Sequence, residues 1–483
     1  MRNGRWTASA LLLCLLCGGP VWPFDLSKTE AAGSAGGVEI SADNDFDELL
    51  DPFDDDSLSD TTTPVSKVPT EPQGDSSDYR IGGEFSLGAV ANFAHDRPEP
   101  GQTDWRGLSR LRARLALEFD AKPSDVLSIH ASGYGFNDFA YQINGRDSYT
   151  DEVLHENENE LELTETHLLA NPLSSLDVRF GRQIVVWGRS DNIRVTDILN
   201  PLDFREPGLT DLEYIRLPVT MSRLDYYRGA WRLSGLAIHE IRFDKNPAFG
   251  SDYYPFEGPL PPEDKPSHGG SNTEWALSVS GTFSGWDVAL YAADHFNDRA
   301  HLERVLSPDG PMRVRRHASL KMVGVAANLV LGNWLLKTEA AWQDGFQYFN
   351  TGDDTFSRFD LLFGVEYSGI RETTVSIEVA NRHINAFDDR LKAAPDAEQA
   401  DTFLSAIRVV REFWNDTLTC TLLAMTYGAT GDDGAMQRLQ VAYDLLDNLE
   451  LTAGVVLYQS GDLPEFENIG DNDRIFGEVA YHF

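Results

Sequence analysis

The chain is poor in cysteine: Cys14 and Cys17 lie close to the N-terminus, and Cys420 stands alone in the remaining length. One thiol cannot close an internal bridge, which excludes a disulfide scaffold. Long apolar runs are also missing beyond the N-terminus, where nothing approaches the roughly twenty residues a helix needs to cross a bilayer. A bundle of membrane helices is thereby excluded. Positive charge is scarce, with 40 Lys and Arg against 77 Asp and Glu and a formal net charge of -37. Nucleic acid is not expected as a partner, because phosphate binding requires a basic surface. Signatures of catalysis are absent too: there is no nucleophile elbow, zinc-protease helix or phosphate loop, and the histidines do not cluster at ligand spacing. An enzyme is therefore not expected, nor is a metal or cofactor site.

The N-terminus carries the first positive signal. Arg2 and Arg5 precede an apolar stretch from Ala8 to Cys17, and Gly18, Gly19 and Pro20 follow. That order predicts a secretory signal over residues 1–19, with cleavage as late as residue 33. Leu16 stands where lipoprotein processing at Cys17 would need a small residue. Residues 37–79 contain the acidic run Asp43–Asp56 and then Ser, Thr and Pro in quantity. Such a segment cannot bury a core and is expected to be a disordered periplasmic tail. Its acids lack the glycine and the final glutamate of a calcium loop. Phe46, Leu49, Leu50 and Phe53 among those acids suit docking of a basic periplasmic partner.

From residue 80 to 483 one pattern repeats: alternation of apolar and polar residues over eight to twelve positions, then a turn. Leu111, Ala113, Leu115, Leu117 and Phe119 share one face of a strand, while Arg110, Arg112, Arg114 and Glu118 share the other. The fold class expected is all-β, a transmembrane antiparallel β-barrel of about eighteen strands, with sixteen to twenty as its bounds. Tight turns such as Arg228-Gly229, Ser284-Gly285 and Gly332-Asn333 alternate with long links at 137–159, 187–216, 242–272 and 297–316. Short periplasmic turns and long outer loops give that rhythm. Trp231, Trp286 and Trp334 follow short turns, while Trp275, Trp342 and Phe359 lie nearer long links, as two interfacial girdles require. The last strand ends in Phe483, an aromatic terminus of the kind the barrel assembly machinery recognises. Outer-membrane lipid, lipopolysaccharide and that machinery are the expected partners, and the cell outer membrane the expected location.

The polar parity of the strands places Arg110, Arg112, Arg114, Glu118, Arg358, Arg382, Arg438 and Arg474 toward the lumen. One reading is a transverse field that selects solutes. The other is a salt-bridged filling that holds the barrel's shape. The link after the fifth strand contains Arg182, Trp187, Arg189, Asp191, Arg194, Asp197, Asn200 and Asp203, and is a candidate to fold inward and narrow a pore. Thr196 is expected to cap a short helix that Pro201 ends.

The run Gly181-Arg182-Gln183 followed by Trp187-Gly188, with Asn200-Pro201 and Asp203 and then Leu217-Pro218-Val219, resembles an uncharacterised family of Gram-negative outer-membrane β-barrels. Its members are often encoded beside lipid exporters of the resistance-nodulation-division type. The resemblance covers residues 80–483 and implies a porin-like or lipid-export role, with a periplasmic or inner-membrane exporter as partner. It departs at Arg189, where members usually carry glutamate. Together these readings describe a channel passing a small or amphipathic solute through a charged lumen. The alternative is a structural sleeve or docking partner of an envelope export complex.

Overall fold

The computed structural model describes residues 79–483 apart from 211–213 and 309. The expected signal, the acidic tail up to residue 78 and its docking residues lie outside the described residues. In chain order the first strands are β1 (Tyr79–Asn92), β2 (Gly107–Ser124), β3 (Leu127–Asp138), β4 (Asn159–Leu173), β5 (Leu176–Gln183), β6 (Val219–Arg228) and β7 (Trp231–Ile238). Next come β8 (Glu263–Asp264), β9 (Glu274–Phe283), β10 (Trp286–Phe296), β11 (His301–Ser307), β12 (Gly310–Arg316), β13 (Ser319–Leu331) and β14 (Trp334–Phe346). The last are β15 (Phe356–Ile370), β16 (Thr373–Ile384), β17 (Asp401–Phe413), β18 (Leu418–Tyr427), β19 (Gly434–Leu446), β20 (Leu449–Gln459) and β21 (Arg474–His482).

All but β8, β11 and β12 form one 18-stranded antiparallel sheet, and β21 pairs back onto β1. The sheet is thus a closed barrel, the arrangement that covers strand edges in an apolar layer. Closure extends to the final residue, since Phe483 and Gly83 exchange two backbone hydrogen bonds of 2.9 Å. The period of two decides which residues face lipid. Phe85, Leu87, Leu115, Leu117, Leu290, Val323, Phe363, Ile377 and Val379 are all exposed on the outer face. Trp231, Trp286 and Trp334 are exposed beside the short turns, and Trp275, Trp342 and Phe359 nearer the opposite rim. An apolar band between two aromatic girdles is what an outer-membrane barrel presents to the bilayer, and this protein is one.

The long links carry structure that alternation in the sequence does not reveal. Two short helices, α1 (Ala140–Asn144) and α2 (Asp151–Asn157), occupy the link after β3. Thr150 caps the second by accepting from the Val153 amide. The link at 297–316 is the hairpin β11–β12, which pairs with β8 in a small separate sheet. No helix forms at Thr196. Its amide and hydroxyl both donate to Glu339 on a distant strand, so the bonds that would start a helix are spent on tertiary contact.

Candidate functional site

The link from residue 184 to 218 leaves the top of β5 and crosses the lumen. Its apolar side chains are buried rather than exposed as in a surface loop: Val185, Trp187, Ile193, Val195 and Leu199 pack in one cluster with inward residues of β6, β7, β9, β10 and β13–β17. The receiving wall is built from small residues, Ala276, Ala289, Ala293, Ala326, Ala341, Ala380 and Ala406. Alanine at inward positions leaves room for a second layer of chain, which larger side chains would fill. Trp187 stacks on Tyr291 with ring centroids 4.6 Å apart.

Two wall carboxylates hold the segment by its backbone. Glu339 accepts from the amides of Arg189 (2.5 Å), Ser190 (2.8 Å) and Thr196 (3.1 Å), and from the Thr196 hydroxyl (2.7 Å). Glu378 accepts from the Ser190 hydroxyl (2.7 Å), the amides of Asp191 (2.8 Å) and Asn192 (3.1 Å), and the Asn192 side chain. These acids are 2 % and 1 % exposed, so their charge is neutralised by converging N–H and O–H dipoles rather than by water. Gly188 has a φ of +89°, and a Cβ there would stand 2.6 Å from Glu339, so both the turn and the approach require glycine. Arg189 meets Asp287 of β10 at 2.5 Å, which supplies a local reason for the arginine in place of glutamate. Lys337 reaches Asp191 at 2.6 Å, and Arg382 donates to the Arg194 carbonyl at 3.3 Å. Asp197 pairs with Arg216 at 2.9 Å and lies 3.4 Å from Arg194, whose guanidinium also donates to the Asn200 carbonyl. Asn200 itself accepts from the Val185 amide and donates to the Gln183 and Leu217 carbonyls, tying the two ends of the link together.

The far end of the segment meets a different wall. Arg110 and Arg112 of β2 both reach Glu206 at 3.1 Å, and Arg112 lies 3.6 Å from Asp138. Burial pushes the Glu206 carboxyl up, but Arg112 and Arg110 outweigh it and hold the group down at about 2. Arg114 pairs with Glu84 at 3.1 Å. Arg112 and Arg114 also lie over the rings of Phe136 and Tyr134. Asp203 and Glu160 share Arg205. Arg474 pairs with Asp252 at 2.8 Å over the Tyr253 ring, and Tyr253 bonds Tyr458, whose hydroxyl donates to the Pro207 carbonyl.

The remaining sequence candidates are spread around the wall. Arg358 is bidentate on Asp360 at 2.8 Å, and Arg438 donates to Gln440. Arg182 stands at the top of β5 in the barrel wall itself, outside the crossing segment. Glu118 lies 3.5 Å from Arg80, in a group with Asp120 and His130 whose donor atoms fall within 4.8 Å of one another. Arg80 donates to Asp120 at 2.9 Å and so supplies a cation to this group. The sequence candidates did not include the clamps Glu339 and Glu378, nor Asp287 and Glu206. The available signal was the inward alanine pattern opposite a long, glycine-punctuated link.

Residues 91–483 match the model of a family described as protein of unknown function (DUF1302). No curated protein matches the chain. Among solved structures, OccAB1 of Acinetobacter baumannii is 10% identical with a TM-score of 0.49, the likeness covering 84% of this chain and 96% of that one. A BenF-like porin from Pseudomonas fluorescens Pf-5 is 13% identical with a TM-score of 0.49, over 84% and 98% of the two chains. OccK8 of Pseudomonas aeruginosa is 11% identical with a TM-score of 0.48, again over 84% and 98%.

Proposed function

The chain belongs to the DUF1302 family of unknown function, and from that premise we propose that it is an outer-membrane channel passing a small or amphipathic solute through a charged lumen. The observation that carries this reading is the crossing segment: a link that folds into the barrel and is held there by wall residues narrows the path without needing a separate domain. A pore needs such a narrowing to discriminate among solutes, because a lumen of this strand number is otherwise wide. The solute would pass between the segment and the charged wall, where Arg110, Arg112, Arg114 and Arg382 offer cations beside Glu84, Glu206 and Asp360.

The test is conduction by purified barrel in planar bilayers. Replacing Arg110, Arg112 and Arg114 together by Gln should move the reversal potential toward cation preference, and the shift should shrink at high salt as screening grows. A barrel that conducts identically before and after would count against a field at the ladder. A second reading, the structural sleeve of an export complex, is favoured by one observation: each arginine of the ladder has a carboxylate partner. A barrel silent in every variant, including one without the crossing segment, would favour the sleeve.

A further inference from the structure

A closed barrel covers each strand edge with its neighbour, because backbone N–H and C=O groups left unpaired in the apolar layer are costly. β4 departs from this. On one side it pairs with β3 up to Asn159. On the other, β5 covers it only from Thr166 to Leu173, since β5 ends at Gln183 where the chain turns into the lumen. Among the described residues, no strand covers 159–165 on that side.

Side chains bridge the gap where a ladder would be. The Arg182 guanidinium donates to the Leu163 carbonyl at 2.6 Å, pairs with Glu162 at 2.9 Å, and grips Glu240 with contacts of 2.6 and 3.1 Å. From the segment after β7, Arg242 pairs with Glu162 at 2.9 Å and Lys245 pairs with Glu160. Arg205, from the crossing segment, meets the same Glu160 at 2.7 Å. Outside this seam the surface is apolar: Leu161 is 90 % and Leu163 63 % exposed, in line with the exposed Leu168 and Phe180 below them. The barrel wall is therefore closed at one place by ion pairs with an apolar ramp on the lipid side and charged groups on the lumen side.

The two kinds of closure open differently. A backbone ladder must shear along its length, whereas ion pairs exchange one at a time for water or for a polar head group. We propose that this seam is a lateral passage between β4 and residues 239–245. It takes a single-chain amphiphile, its apolar chain along Leu161, Leu163 and Phe180 and its polar head among Arg182, Arg242 and Lys245. The passage rests on the channel reading only in that the lumen carries the amphiphile to or from the seam. Strand addition by a peptide is disfavoured, because Arg182 already occupies the Leu163 carbonyl that an added strand would use.

The test uses the full-length barrel in proteoliposomes, with Cys14, Cys17 and Cys420 each replaced by Ser as background and Leu163→Cys plus Glu240→Cys joined by a spanning bismaleimide. The probe is a fluorescent lysophosphatidylcholine in the inner leaflet, and external albumin, too large for the lumen, extracts what emerges. Linking the seam should slow extraction by about tenfold or more while ionic conductance stays as in the unlinked protein. Arg182→Ala, which releases the clamp, should speed extraction. Equal extraction with the seam linked and free, or none in the unlinked barrel, would overturn the passage. Loss of conductance in the unlinked barrel would instead strike the channel reading, so the two failures are distinguishable.

Discussion

The two sides of the lumen hold the same segment by different physics. Along β9, β10 and β13–β17 the wall is lined with alanine, and Trp187, Ile193, Val195 and Leu199 pack into it like a second core layer, pinned by the shielded carboxylates of Glu339 and Glu378. Along β2 the contact is between guanidinium groups and Glu206, with Tyr458 of β20 bonding the neighbouring Pro207 carbonyl. Packing is indifferent to pH and salt, whereas partly hydrated ion pairs respond to both. One end of the segment is thus the fixed anchor and the other is the adjustable end.

The largest effect should come from breaking the anchor. Trp187→Ala removes a buried aromatic stacked on Tyr291, a loss of about 3–5 kcal/mol for such truncations. Limited proteolysis should then cut within 184–216 at a rate well above wild type, with the barrel still heat-modifiable on gels. Replacing Glu339 by Ala should weaken the anchor next: four donors lose this acceptor, but water entering the space left by the side chain satisfies most of them again, so the net cost is about 1–3 kcal/mol. Glu378→Ala should act in the same direction, and the paired variant should exceed either alone when scored by the same cleavage assay. If neither carboxylate variant changes cleavage, the alanine wall alone is the anchor.

The adjustable end should give smaller, condition-dependent effects. The Glu206 carboxyl is held at about 2 against an ordinary 4.5. A depressed carboxylate contributes its attachment fully above its unfolded value and loses it as pH falls through the folded one. Acidification from pH 4.5 toward 2 should therefore free this end, seen as rising conductance or noisier gating. Glu206→Gln should show the freed behaviour already at pH 7 and lose the acid step. An unchanged acid step in Glu206→Gln would assign it to other carboxylates.

The barrel was legible in the sequence because its cause is local. Alternation at residues such as Leu111–Phe119 and the rhythm of turns are written within a dozen residues, so eighteen strands and their outward faces followed. The site was legible only in part. The residues that hold the crossing segment lie about 100 to 190 positions away, as with Arg189 and Asp287 or Ser190 and Glu378, and no local pattern states that distance. Thr196 misled for the same reason: its composition suits a helix cap, but Glu339 competes for the same hydrogen bonds and wins. The small-residue wall was visible, yet alanine on an inward face reads equally as an empty lumen until the chain that fills it is known.

If the barrel is a channel, the segment between β5 and β6 limits passage through it. Single-channel recording of a variant lacking Asp191–Asp203 tests it most directly. The expected result is a stable barrel with a clearly larger unitary conductance than the full chain at the same salt. A variant that assembles normally and conducts no more than the intact protein would contradict it.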